Sequence, residues 1–188
     1  MLQTPITSLS YFFSLKENLN YWAYYAYGKA RSYAQPYIST IFSADKITNN
    51  IYLGDFASAC NKEELLKLGI THVVTVILAV DAMYPQDFKY KTVDICDQTS
   101  ADIYKYFDDC SDFIDDAIDN GGKVYVHCMY GISRSATIVA AYLISKQGYN
   151  DITAIDLIQK YRPCINPNQG FRQQLRLYSE YIQQKQTP

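Results

Sequence analysis

The chain has 188 residues, 48% of them apolar, and a net charge of −2. That suits one ordinary domain plus an appendage, with a core that needs no disulfide or metal staple. The near-neutral balance argues against nucleic-acid or anionic-membrane binding by bulk electrostatics, and five scattered cysteines without a CxxC pair argue against a zinc site.

Residues 1–45 differ in composition from the rest of the chain. From Ser8 to Gln35 aromatic side chains are dense, and Phe12, Leu15, Leu19, Trp22, Ala26, Ala30 and Tyr33 recur at helical period. Ser14-x-x-Glu17 fits a capping box, and Pro36 ends the predicted helix. So much aromatic surface needs a cover, either its own domain or another chain. No basic leader with an apolar core opens the sequence, and no apolar run reaches the length of a membrane span. A soluble, intracellular protein is expected.

The main domain is expected over 46–188. Asn50 to Leu53 reads as a strand closed by Gly54-Asp55, and a helix is expected over Phe56 to Lys67, with Gly69 just past its end. Thr71 to Leu78 is a β-branched run typical of a strand buried on both faces. Another strand is expected from Tyr90 to Cys96. From Asp102 to Asn120 apolar residues recur at helical spacing, with seven aspartates between them that read as a solvated face, not a metal site. Asp102 fits an N-cap there, and Asp151 another, for a helix to Arg162 that Pro163 stops. A last helix opens at Asn168 or Gly170 and ends near Gln183. Strands alternating with helices predict an α/β domain with a mostly parallel central sheet, whose ligands bind at the carboxyl ends of the strands.

One stretch lies at such an end. Lys123 to His127 is a strand that Cys128 terminates, and the loop Met129-Tyr130-Gly131-Ile132-Ser133 leads through Arg134-Ser135 into an apolar helix, Ala136 to Ile144. Loop amides and a helix N-terminus that converge in this way bind anions, phosphate above all. The same field favours a thiolate at Cys128. Arg134 returns over the loop with a planar fork able to grip two phosphate oxygens. A thiolate beneath a phosphate cradle predicts phosphoryl transfer to cysteine. It also needs a reducing compartment, which points to the cytoplasm.

The leaving oxygen needs a proton, so a carboxylic acid is expected on a separate loop facing the cradle. Asp97, just past a strand in the polar loop 97–101, fits, although a turn-forming aspartate fits that position equally well.

His127-Cys128-x5-Arg134-Ser135 on a strand–loop–helix resembles the cysteine-dependent dual-specificity phosphatases. The likeness runs from Thr48 to Tyr181. It takes in Asn50-Ile51-Tyr52-Leu53-Gly54, Ala141-Tyr142-Leu143-Ile144, and Arg162-Pro163-x-Ile165-x-Pro167-Asn168-x-Gly170-Phe171 with Gln174-Leu175 beyond. Asp97, with Asp102-Ile103 and Tyr106-Phe107 after it, matches the family's acid loop. Thr48 to Gly54 and Asp102 to Asp109 resemble the poxvirus members especially, which would place the chain, if viral, in the host cytoplasm or the virion.

The resemblance implies a protein-tyrosine-phosphatase-like fold and a two-step hydrolysis of phosphotyrosine and phosphoserine or phosphothreonine through a phosphocysteine. In it Cys128 is the nucleophile, Asp97 the acid and then the base, and Ser135 a donor to the departing thiolate. Arg134 and the amides from Met129 to Arg134 hold the phosphate, while His127 and Asn168 support the loop. No cofactor or metal is implied, and the partner is a phosphorylated protein, neither nucleic acid nor membrane. Poxvirus members pair through an exchanged N-terminal helix, so a homodimer is expected. Two other readings remain: a phosphoinositide or RNA 5′-phosphatase, or a non-catalytic phosphoprotein-binding scaffold.

Overall fold

The computed structural model describes residues 42–186. The aromatic stripe and the Ser14-x-x-Glu17 box therefore lie outside the described residues.

Five strands form one sheet: β1 (Ala44–Lys46), β2 (Ile51–Gly54), β3 (His72–Val76), β4 (Lys89–Val93) and β5 (Val124–His127). Their order is β1-β2-β5-β3-β4. All neighbours are parallel except β1, which runs antiparallel to β2 at the edge. The expected mixed, mostly parallel sheet is thus present, with β5 at its centre and Cys128 at the carboxyl end of β5.

Side chains alternate across the sheet, as a period of two requires. Ile51, Leu53, Val74, Val76, Val124 and Val126 point into one core cluster, while Tyr52, Val73 and Tyr125 point into the other. The first cluster lies under α3 (Phe107–Asp119), α4 (Arg134–Gln147), α5 (Asp151–Tyr161) and α6 (Gln169–Gln186). Helix α4 is buried from Arg134 to Ile144 because α3, α5, α6 and the sheet surround it. A helix enclosed on every side needs no polar face, which explains the largely apolar run after Ser135, where the buried Thr137 hydroxyl donates back to the Ser133 carbonyl at 2.9 Å.

Three local expectations are corrected. The segment after Gly54 is two short helices, α1 (Phe56–Ala59) and α2 (Lys62–Lys67), instead of one. Asp55 accepts from the Ser58 amide at 2.8 Å to cap the first. Asn61 accepts from the Glu64 amide at 3.3 Å to cap the second, and so restarts the chain within the span expected as a single helix. The cap of α5 moves by one residue: Asn150, not Asp151, caps it, in a reciprocal box with Thr153. Asp102 caps nothing. A 3-10 turn over Tyr104–Tyr106 leads into α3, and neither element has a side-chain cap of its own.

The aspartates of α3 are mostly exposed, but several are engaged. Asp109 pairs with Lys91 at 3.0 Å, Asp112 and Asp115 with Lys146, and Asp108 accepts from the Tyr178 hydroxyl at 2.6 Å. Among the described residues no cluster of His, Cys, Asp and Glu could hold a metal ion, and no helix is long and apolar enough to cross a membrane.

Candidate active site

The loop from Cys128 to Ser133 joins β5 to α4, and the carbonyls of residues 129–132 are engaged on its outside. Met129 O accepts from the Phe56 amide at 3.3 Å, and Ile132 O from the Asn166 amide at 2.9 Å. Tyr130 O and Gly131 O accept from the Arg162 guanidinium at 3.2 and 2.8 Å. In a trans peptide the N–H points opposite to the preceding C=O. Four outward carbonyls therefore turn the amides of residues 130–133 inward, toward a common centre. Gly131 has φ +66°, and a Cβ there would collide with the carbonyl of Gly54, so the loop's tight return against β2 requires glycine.

Cys128 lies at the base of this nest and is 1% exposed. Burial alone would push its thiol up. The Arg134 charge, the Ser135 hydroxyl and the amides of Ser135 and Ile132 outweigh burial, and the net direction is down. The Ser135 hydroxyl donates to Cys128 Sγ at 3.2 Å. Arg134 is buried, its Nη1 tied to the Ile95 carbonyl at 3.2 Å. Its Nε makes no hydrogen bond and lies 3.6 Å from Asp97 Oδ2. A buried guanidinium donor without an acceptor suits an anion in the nest.

Asp97 faces the loop from past β4, with its side chain 35% exposed. Its Oδ1 accepts from the Ser133 hydroxyl at 2.7 Å and from Asn168 Nδ2 at 2.8 Å. Asn168 also donates its amide to Ser133 Oγ at 3.2 Å and caps α6 by accepting from the Phe171 amide at 3.0 Å. Asp97, Ser133 and Asn168 thus form one network. Ser133, expected among the phosphate ligands, spends its hydroxyl on the acid loop and has only its amide for the nest.

His127 Nε2 lies 2.9 Å from Thr75 Oγ1 on the neighbouring strand, and its ring stacks on Tyr125 at 5.6 Å. Burial, aided by the Arg134 charge, drives its imidazole down to about 4, so it is neutral at ordinary pH. On the loop itself Tyr130 is 55% exposed, whereas Met129 is packed into the core.

The residue that sequence reasoning misses as functional is Arg162. It is buried, grips the two loop carbonyls, and reaches Ser43 Oγ at 2.9 Å and Asp45 Oδ2 at 2.7 Å. Its signals are its place directly before the proline that ends α5 and within the closing segment that resembles the family's.

Residues 51–181 match the family model for the dual specificity phosphatase catalytic domain. Dual specificity protein phosphatase 1B of Arabidopsis thaliana is 44% identical over 138 residues, 73% of this chain and 83% of that protein. Dual specificity protein phosphatase 1 of the same plant is 43% identical over 129 residues, 69% of this chain and 65% of that protein. Among solved structures, the human tyrosine phosphatase-like serine/threonine/tyrosine-interacting protein superposes with a TM-score of 0.73 at 34% identity, covering 76% of this chain and 99% of that one. The chain belongs to the dual specificity phosphatases, a cysteine-dependent family of hydrolases that act on phosphotyrosine and on phosphoserine or phosphothreonine.

Proposed function

We propose that the chain dephosphorylates phosphoproteins in two steps, with Cys128 as nucleophile and Asp97 as general acid and base. The Cys128 thiolate attacks phosphorus in line, and the phosphorus–oxygen bond breaks as Asp97 gives its proton to the leaving oxygen. Arg134 and the loop amides hold the three equatorial oxygens. Water then attacks the phosphocysteine phosphorus while Asp97 takes its proton, the phosphorus–sulfur bond breaks, and the departing thiolate accepts from the Ser135 hydroxyl. The observation that carries this reading is the Cys128 thiol, lowered despite full burial, beneath a nest that Asp97 faces through Ser133 at 2.7 Å.

A protein substrate is favoured over a phosphoinositide or an RNA end because the loop positions Met129, Tyr130, Gly131, Ile132 and Ser133 add no cation for further phosphates. Hydrolysis of phosphotyrosine and phosphothreonine peptides beside a phosphoinositide panel and a 5′-triphosphorylated RNA tests it. Turnover of both peptides is expected; preference for a lipid or RNA would overturn the assignment.

The cytoplasm, where thiols stay reduced, is the setting proposed. The division into an extension, 1–45, and a catalytic domain, 46–188, rests on composition. The poxvirus likeness of Thr48 to Gly54 and Asp102 to Asp109 supports a homodimer through the extension. Light scattering on the full chain and on residues 46–188 is expected to give a dimer and a monomer. A monomeric full chain would refute the pairing.

A further inference from the structure

The segment from Asp97 to Tyr104 holds the acid, yet it has little structure of its own. Its one internal backbone bond is a turn, the Ala101 amide to the Gln98 carbonyl at 3.0 Å. Where it enters the 3-10 turn, the first amides lack any local cap. These are the orphan donors that every helical start must place somewhere.

They go to a side chain 70 residues away. Gln174 Oε1 accepts from the amides of both Ile103 and Tyr104 at 2.9 Å, and Gln174 Nε2 donates to the Ala101 carbonyl at 2.9 Å. One amide group thus uses its acceptor twice and one of its donors. It stands on α6, which the buried side chains of Phe171, Leu175 and Tyr178 fix in the core. The same helix begins at Asn168, whose Nδ2 holds the Asp97 carboxylate. Between the two stands Gly170, where any Cβ would collide with the Thr99 carbonyl. The start of α6 therefore grips the acid loop at its carboxylate, its middle and its far end. Six residues of helix rise roughly 9 Å, so these grips are a rigid ruler beside the loop.

We infer that Gln174 is a positioning residue for the general acid: its amide fixes the far end of the acid loop, so that Asp97 meets the leaving oxygen over the Cys128 nest. The inference rests on Asp97 being that acid. Without Gln174 the far end keeps the buried Ile103 side chain and the Tyr104 ring against Phe107 and Tyr178, but its backbone loses its fixed partners, and two amides and a carbonyl must find water. The nest, whose carbonyls are held by Phe56, Arg162 and Asn166, is untouched.

The test compares kcat/KM on two substrates, a phosphotyrosine peptide and dinitrophenyl phosphate, whose leaving group departs without a proton. Gln174→Ala is expected to lose roughly 10-fold or more on the peptide and under about 3-fold on the activated ester. Inhibition by vanadate, which reads the nest alone, should not move. Gln174→Glu keeps both accepted bonds and should recover part of the peptide activity; it also carries the comparison if the alanine variant unfolds at assay temperature. Equal losses on both substrates, or no loss on either, would overturn the inference. Asp97→Asn runs alongside. If it shows the selective loss and the Gln174 variants do not, the positioning role alone falls; if it shows no selectivity, the acid assignment falls and takes this role with it.

Discussion

Asp45 and Arg162 lie 117 residues apart in sequence and 2.7 Å apart in space, so the edge strand β1 is joined to the back of the phosphate loop. Arg162 turns the Tyr130 and Gly131 carbonyls outward, and their partner amides inward, only while its own plane is held. Arg162→Ala is expected to weaken vanadate inhibition and kcat/KM together, by on the order of 10-fold, and to cost about 3 kcal/mol of stability. Asp45→Ala should cost about 1 kcal/mol or less, because the carboxylate side chain is 41% exposed and screened by water. Vanadate titration and urea denaturation separate the two effects. Unchanged vanadate affinity in a folded Arg162→Ala protein would show that the loop holds its shape alone.

The Ser135 hydroxyl, 3.2 Å from Cys128 Sγ, is one of the groups that bring the thiol down against its own burial. Removing it leaves burial less opposed. In Ser135→Ala the pH midpoint of iodoacetate alkylation at Cys128 should therefore move up. The mutant should also release phosphate from the phosphocysteine more slowly, because the departing thiolate loses its donor. Rapid-quench detection of accumulated phosphoenzyme checks this. A midpoint that stays put would remove Ser135 from the thiolate's support.

Much of this arrangement is legible in the sequence, for identifiable reasons. The inner strands β3 and β5 are buried on both faces, and β3 stands out as a β-branched run, whereas the edge strand β4, with Lys89 and Lys91, shows less clearly. The strand–loop–helix around Cys128 announces itself because a nest needs a fixed spacing from cysteine to arginine. The antiparallel β1 is invisible there, since three residues, Ala44-Asp45-Lys46, carry no periodicity and become a strand only by pairing with β2. The break at Cys60-Asn61 is hidden because neither proline nor glycine marks it, and Asn61 becomes a cap only through its bond to the Glu64 amide. Asp102 looks like a cap by residue type, but the amides it would serve go to Gln174. A bond between residues 70 apart leaves no trace in local pattern. The same holds for Arg162, whose loop partners are carbonyls and thus independent of side-chain identity.

Asp94 and Asp97 lie close in sequence and do different work. Asp94 Oδ1 accepts from the amide of Ala79 at 2.8 Å, where the backbone adopts φ +59°. That position is strained for a residue with a Cβ. Asp97→Asn is expected to lower kcat/KM on a phosphotyrosine peptide by on the order of 10²–10⁴ and to spare dinitrophenyl phosphate. Asp94→Asn should leave that ratio at its wild-type value and lower thermal stability instead. A larger selective loss from Asp94→Asn would move the acid there.

His127 makes stability depend on pH in a window set by burial. Its imidazole has an ordinary value of 6.5 in the unfolded chain and about 4 in the fold. Between these values the unfolded state binds a proton that the native state does not, so stability rises with pH and falls as pH drops from 6.5 toward 4. From pH 7 to pH 5 the loss from this one group is about 2 kcal/mol. His127→Gln keeps a polar group within reach of Thr75 but cannot take up the proton. The mutant's urea midpoint should fall less than the wild type's over that interval, even if it starts lower. The difference between the two curves isolates the histidine, because the carboxylates titrate in both proteins. Parallel curves for mutant and wild type would mean that His127 titrates in the fold much as it does in the open chain.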